Sequence, residues 1–154
     1  MIKEQLYRKT CDILFDAYFN DTLEHGQCCA CAVGNIVAAN MGLTIIKDGD
    51  GMFIWENYEC YNNGHFLGWF YPVREGTLPT NQQLAEINST GYEIYELNQI
   101  ESAFERSGGY FTNDEKMFNG LCAVIEVLNK IHEVEEDTQT VRFKNHYKSK
   151  IVLL

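Results

Sequence analysis

Three residues able to bind a metal or serve as a nucleophile stand at equal spacing in His25-Gly26-Gln27-Cys28-Cys29-Ala30-Cys31. His25, Cys28 and Cys31 read H-x2-C-x2-C. Imidazole nitrogen and thiolate sulfur are the usual zinc donors, and C-x2-C is a common half-site. A structural zinc takes four ligands in tetrahedral geometry. No second C-x2-C or H-x3-H supplies the other half, which leaves Cys60, His65, Cys122 and His132 as single candidates for a fourth ligand. The expectation is therefore a chain without a cofactor. A zinc-stabilised interaction module built on His25, Cys28 and Cys31 is the alternative.

The same thiols precede an apolar run that ends at Asn40-Met41-Gly42. A helix N-terminus carries partial positive charge, which favours thiolate, the form that attacks carbonyls. The segment Gly26-Gln27-Cys28-Cys29-Ala30-Cys31-Ala32 resembles the papain-like Gly-x-Cys-Gly-Ser-Cys-Trp segment. That resemblance implies Cys31 as nucleophile and His65, in Gly64-His65-Phe66, as its base. It covers seven residues and lacks the motif's Gly-Ser pair and Trp. The separation between Cys and His is far shorter than in papain, and no orienting Asn or Asp stands out. The simpler reading treats Cys31 as a small hydrophobe in a buried helix.

A third possibility is a binding surface. Trp55, Tyr58, Tyr61, Phe66, Trp69, Phe70 and Tyr71 fall within seventeen residues. Strand side chains alternate between faces, so these rings cannot all enter one core. Trp55, Tyr58, Trp69 and Tyr71 are the ligand-binding candidates, since exposed aromatics often mark recognition. The competing reading is an aromatic core against helices.

These residues need a scaffold. Residues 2–24 read as an amphipathic helix with Leu6, Thr10, Ile13 and Ala17 in one row and Tyr7, Cys11, Leu14 and Tyr18 in the next. From Cys28 to Ala39 the chain is small or apolar on every side, which predicts a buried central helix over about 28–40. Gly42 then suits a left-handed stop. The period changes to alternation over 43–47, 52–61 and 66–73. Asp48-Gly49-Asp50-Gly51 and Asn62-Asn63-Gly64 lie between as turns, so the expected element is a small antiparallel meander. A calcium loop at Asp48–Gly51 fails, because Ile46 and Asn57 fall where acidic ligands belong. Helical spacing returns from Pro79, with helices expected to Thr90, over 92–106, where Glu101 lies on the inward side, and over 113–134. Thr112 and Glu115 form a capping box for the last of these. Its stripe runs Phe118, Leu121, Cys122, Ile125, Leu128 and His132. Phe143, Tyr147, Ile151 and Leu154 keep helical spacing in the tail.

Composition narrows the function. The 154 residues suit one domain, spanning 1–154. Net charge is −10, unevenly spread. All 22 acidic residues and eight of the twelve basic ones lie at or before Asp137, leaving that part formally −14 and residues 138–154 +4. Phosphate neutralisation needs basic patches, so a nucleic-acid partner is not expected. The basic tail suits docking on acidic surface, within the chain or in a homo-oligomer. No apolar run reaches the roughly 18 residues a membrane span requires, so no membrane partner is expected. Six cysteines without an apolar leader point to reduced thiols in the cytoplasm.

The Cys28-x-x-Cys31-Ala32-Val33-Gly34-Asn35 segment and Met117-Phe118-Asn119-Gly120-Leu121 resemble small intracellular proteins of gut bacteria and their phages. That resemblance implies a mobile-element setting and carries over no activity. The sequence thus predicts an α+β, mostly helical fold: a buried central helix packed by several helices, with a small antiparallel meander. The expected role is non-enzymatic binding or regulation through a protein or small ligand. A papain-like cysteine hydrolase using Cys31 and His65 is the runner-up.

Overall fold

A computed structural model describes residues 3–27, 29–58, 81–106 and 113–153. The proposed strand over 66–73 lies outside these residues, as do Cys28, Cys60, His65, Trp69, Tyr71 and Thr112.

The amphipathic pattern of the first segment forms α1, Lys3–Phe19. Tyr7, Thr10, Cys11, Leu14, Ala17 and Tyr18 are buried, while Glu4 and Arg8 pair at 3.2 Å on the outside. The two predicted rows therefore make one wide buried face.

The central helix α2 is Ala32–Met41, buried from Ala32 through Ala38. It stops as its sequence predicts: Gly42 adopts φ +70°, and its N–H turns back to Ala38 and Ala39 carbonyls. It starts four residues later than the apolar run suggests. The amides of Ala30 and Cys31 both bond back to Gln27 O, at 3.0 and 2.8 Å, so these two residues close a turn onto Gln27 before the helix begins. Cys31 has extended backbone and serves as the N-cap. Asn35, the polar residue in the run, is buried and ties the turn together. Its Nδ2 donates to the carbonyls of Thr22, Ala30 and Cys31 at 2.8–3.1 Å.

Strands β1, Ile45–Lys47, and β2, Phe53–Trp55, pair antiparallel with Ile45 opposite Trp55 and Lys47 opposite Phe53. Asp48 Oδ1 accepts from the amides of Asp50 and Met52, and Gly51 takes φ +80°, so the Asp-Gly turn forms as its residues dictate. The second strand ends earlier than predicted. Asn57 sits at φ +59° and Tyr58 N bonds to Trp55 O, which turns the chain away from the sheet and leaves Tyr58 off the strand.

Four more helices follow: α3 (Asn81–Ser89), α4 (Ile94–Arg106), α5 (Asn113–Ile131) and α6 (Thr138–Leu153). The architecture is α+β and mostly helical, with six helices and a two-stranded antiparallel sheet among the described residues. Helices α4 and α5 make the most extensive pairing. Leu97, Ile100 and Phe104 meet Leu121, Val124, Ile125 and Leu128 in one core cluster with α1 and α2. The close approach of α4 and α5 is possible because residue 120 is Gly. A Cβ there would stand 2.9 Å from Phe104 O and 3.3 Å from His25 Nε2.

The tail is a helix, α6, docked within its own chain. Phe143 is fully buried and stacks on Phe15 at 5.3 Å and on Phe118 at 5.2 Å, with Tyr18 edge-on at 5.1 Å. Arg142 pairs with Asp12 at 2.7 Å and lies over the Phe15 ring. Asp137 caps α6 through the amide and hydroxyl of Thr140, at 2.8 and 2.6 Å. No helix among the described residues is long and apolar enough to cross a membrane.

Candidate functional site

Cys31 lies in the core, with no exposed surface. Its Sγ accepts the Gly34 amide at 3.2 Å, the bond that caps α2. The sequence argument that a helix N-terminus lowers this thiol's pKa does not survive the surroundings. Burial, and then the carboxyl of Glu101, push it well above the ordinary thiol value, while the Gly34 amide acts weakly the other way. Glu101, from α4, is also fully buried. Its Oε2 accepts the Val33 amide at 3.2 Å. Burial raises its pKa to about 8, and the Cys31 thiol and the Ala32 and Val33 amides hold it from rising further. At neutral pH the pair is therefore carboxylic acid and thiol, not carboxylate and thiolate. It joins the start of α2 to α4. His65, the base paired with Cys31 in the hydrolase reading, lies outside the described residues.

His25, the first residue of the metal candidate, faces α4 and α5. Its ring stacks on Phe104 with centroids 4.3 Å apart, and Nε2 donates to Phe104 O at 2.9 Å. The neighbouring Gly26, at φ +73°, gives its N–H to both Glu105 carboxylate oxygens. His25 thus pins the turn before α2 to the end of α4. Among the described residues no three His, Cys, Asp or Glu side chains converge as a metal site requires. Cys28 lies outside them.

Of the aromatic candidates, Trp55 is core rather than surface. It is 1% exposed and its Nε1 donates to Cys29 O at 3.0 Å, linking β2 to the turn before α2. Tyr58 is half-buried, tilted against Trp55 at 5.6 Å, with its hydroxyl 3.4 Å from Glu86 Oε2. Trp69 and Tyr71 lie outside the described residues.

The arrangement best able to meet a ligand was not assembled from the sequence, which offered only its His132, as a candidate fourth zinc ligand. It brings together α1, the start of α4 and the end of α5. Thr10 donates its hydroxyl to Leu6 O at 2.8 Å, so its oxygen accepts from Tyr92, 2.9 Å away. That uses the one proton of Tyr92, whose oxygen must then accept from His132 Nε2 at 2.8 Å. The proton count fixes a directed chain: His132 N–H to Tyr92, Tyr92 to Thr10, Thr10 to Leu6 carbonyl. The Tyr7 ring packs 5.3 Å from His132, and its hydroxyl makes a short bond to Asn129 Oδ1. Burial, aided by Cys11 and Asp137, raises the Tyr7 pKa, and burial raises that of Tyr92. Cys11, beside them, is pushed up to about 12 by burial and Asp12. All three hold their protons at physiological pH.

Tyr7 and His132 floor a surface pocket of about 390 Å³, walled by Glu4, Arg8, Val134, Thr138 and Gln139. This volume lies within the range of small-molecule sites. The sequence signal was faint: Thr10 and His132 are polar residues on otherwise apolar helical rows, and Tyr92 begins a helix pattern 40 residues before His132. Nothing in that spacing says they meet. No protein family, curated protein or solved structure matches the chain.

Proposed function

We propose that this chain is a small binding or regulatory protein, and that its ligand site is the pocket over Tyr7 and His132. The observation that carries the reading is the directed chain that runs from His132, a lining residue of that pocket, to Tyr92 and Thr10. A pocket floored by a fixed imidazole and a phenol presents oriented polar groups, which is how small-ligand sites obtain specificity. Rigid support from three helices lowers the ordering cost of binding. The cysteine-hydrolase reading lacks comparable support: Cys31 is buried, capped and protonated.

The cytoplasm is the proposed site of action. No disulfide joins the described cysteines Cys11, Cys29, Cys31 and Cys122, the first three of them buried, and free thiols of this kind suit a reducing compartment.

A fragment screen monitored by side-chain NMR tests the reading. Binders should perturb Tyr7, Tyr92 and His132 together in a saturable way and raise the melting temperature by mass action. A library that yields no saturable change at these residues would remove this site. Rapid labelling of Cys31 by a thiol reagent in the folded protein would restore the hydrolase reading.

A further inference from the structure

We infer that α6 is a strap able to open on its own, and that its docking on α1 completes the Tyr7–His132 pocket; this rests on the binding function proposed for that pocket and adds its regulation. The lining divides between two parts of the chain. Glu4, Tyr7 and Arg8 come from α1, and His132 follows the end of α5. Val134, Thr138 and Gln139 come from the connection after it and the first turn of α6. The cavity of about 390 Å³ is therefore whole only while α6 lies against α1.

The attachment of α6 is narrow. Of its described side chains, 138–146, Phe143 is the buried one. Arg142 reaches Asp12 from a largely exposed position, and the His146 ring stands edge-on to Phe19 at 5.9 Å. The connection 133–137 is exposed apart from half-buried Val134, and Glu133 takes φ +56°. An element with few buried contacts opens at less cost than global unfolding, and a few loop residues suffice as its hinge.

A hydrogen-bonded path joins this strap to the pocket. The Tyr7 hydroxyl donates to Asn129 Oδ1, and the Asn129 side chain donates in turn to Asp137. Asp137 accepts the amide and hydroxyl of Thr140, the bonds that cap α6. Burial acts to raise the Asp137 pKa, but the bonds from Thr140 and Asn129 outweigh it and hold the carboxyl below its ordinary value. The charged cap thus grips the strap and, through Asn129, the pocket's Tyr7. A ligand that touches Val134, Thr138 or Gln139 binds the closed form more tightly and holds the strap down. Whatever lifts the strap weakens that ligand by the same factor.

Amide hydrogen exchange of the full chain, read by NMR beside the Tyr7 and His132 side-chain signals, tests this. The amides of 142–146 should exchange at least about tenfold faster than the buried amides of α4 and α5, yet slower than a free chain. Tyr7→Phe, which breaks the far end of the path, should speed their exchange by a further two- to tenfold or so. Phe143→Ala should free α6 and move the Tyr7 and His132 signals, with α4 and α5 still protected. If Phe143→Ala does not fold, Thr140→Ala is the milder strap variant and should speed 142–146 as Tyr7→Phe does. Exchange of 142–146 at the rate of the α4–α5 core, or at the free-chain rate, would overturn the inference. So would a Tyr7→Phe chain with unchanged exchange in α6, or a freed α6 with Tyr7 and His132 unmoved. Each of those results leaves the pocket as a binding site. The expected exchange pattern beside a fragment screen without binders would instead remove the binding function and keep the strap.

Discussion

Cys31 and Glu101 show how a residue that looks reactive becomes structural. A thiol at a helix N-terminus in water gains thiolate character. Here burial outweighs the partial charge of α2, and Glu101 adds to the same direction. The sulfur is left to cap the helix, so Cys31→Ala should cost about 1–2 kcal/mol through the lost cap and a small cavity, without loss of fold. Denaturant unfolding of the variant checks this, and a much larger loss would mean the sulfur holds something more than Gly34. Glu101 makes a sharper prediction through pH. Its folded pKa, about 8, exceeds the ordinary carboxyl value of 4.5. The folded state therefore binds the proton more tightly, and stability is full below the unfolded value and declines as pH rises towards 8. Glu101→Gln removes that titration while keeping an acceptor for the Val33 amide. Melting temperatures of wild type and variant should converge at pH 5 and separate at pH 9, with the variant higher. Parallel curves would mean that Glu101 is ionised in the folded state.

At the scale of elements, the α4–α5 pair depends on Gly120. Alanine is the better helix former by up to about 1 kcal/mol. The added methyl would meet a backbone carbonyl at 2.9 Å, an atom that cannot rotate away, and overpacking of this kind costs about 1–3 kcal/mol. The steric term should win, so Gly120→Ala should lower the melting temperature and shift the His25 ring resonances. A stabilised variant would show that α4 and α5 can separate without loss. Much of this level was legible in the sequence. Period-3.6 rows identified α1, α4 and α5, the left-handed need at Gly42 ended α2, and Asp-Gly turned the hairpin. The misread boundaries share a cause. The start of α2 and the end of β2 are set by hydrogen bonds to Gln27 O and by Asn57 at positive φ, and neither alters hydrophobic periodicity. The site was less legible still. Cysteine spacing drew attention to Cys31, whereas the polar chain joins Thr10, Tyr92 and His132 across separations of 82 and 40 residues that no local pattern encodes.

For the whole molecule, the uneven charge has a structural answer. The first 137 residues carry −14 and the tail +4, and the tail folds back on α1 through Phe143 and Arg142. The burial of Phe143 among Phe15, Tyr18 and Phe118 supplies most of the attachment. The Arg142–Asp12 pair has both side chains around half exposed, 42% and 54%, and such pairs contribute no more than about 1 kcal/mol. Salt should therefore loosen the docking little. It should instead relieve the self-repulsion of a chain at −10, whose compact state holds like charges together. Raising sodium chloride from about 0.01 to 0.15 M shortens the screening length from roughly 30 to 8 Å and should raise the melting temperature. Deleting 138–154 leaves −14 and uncovers the aromatic socket, so that chain should melt lower and depend more steeply on salt. Phe143→Ala, which keeps the charge, should melt lower by a loss of about 3–5 kcal/mol but retain the wild-type salt slope. Equal slopes for the deletion and the full chain would show that the tail stabilises through packing alone.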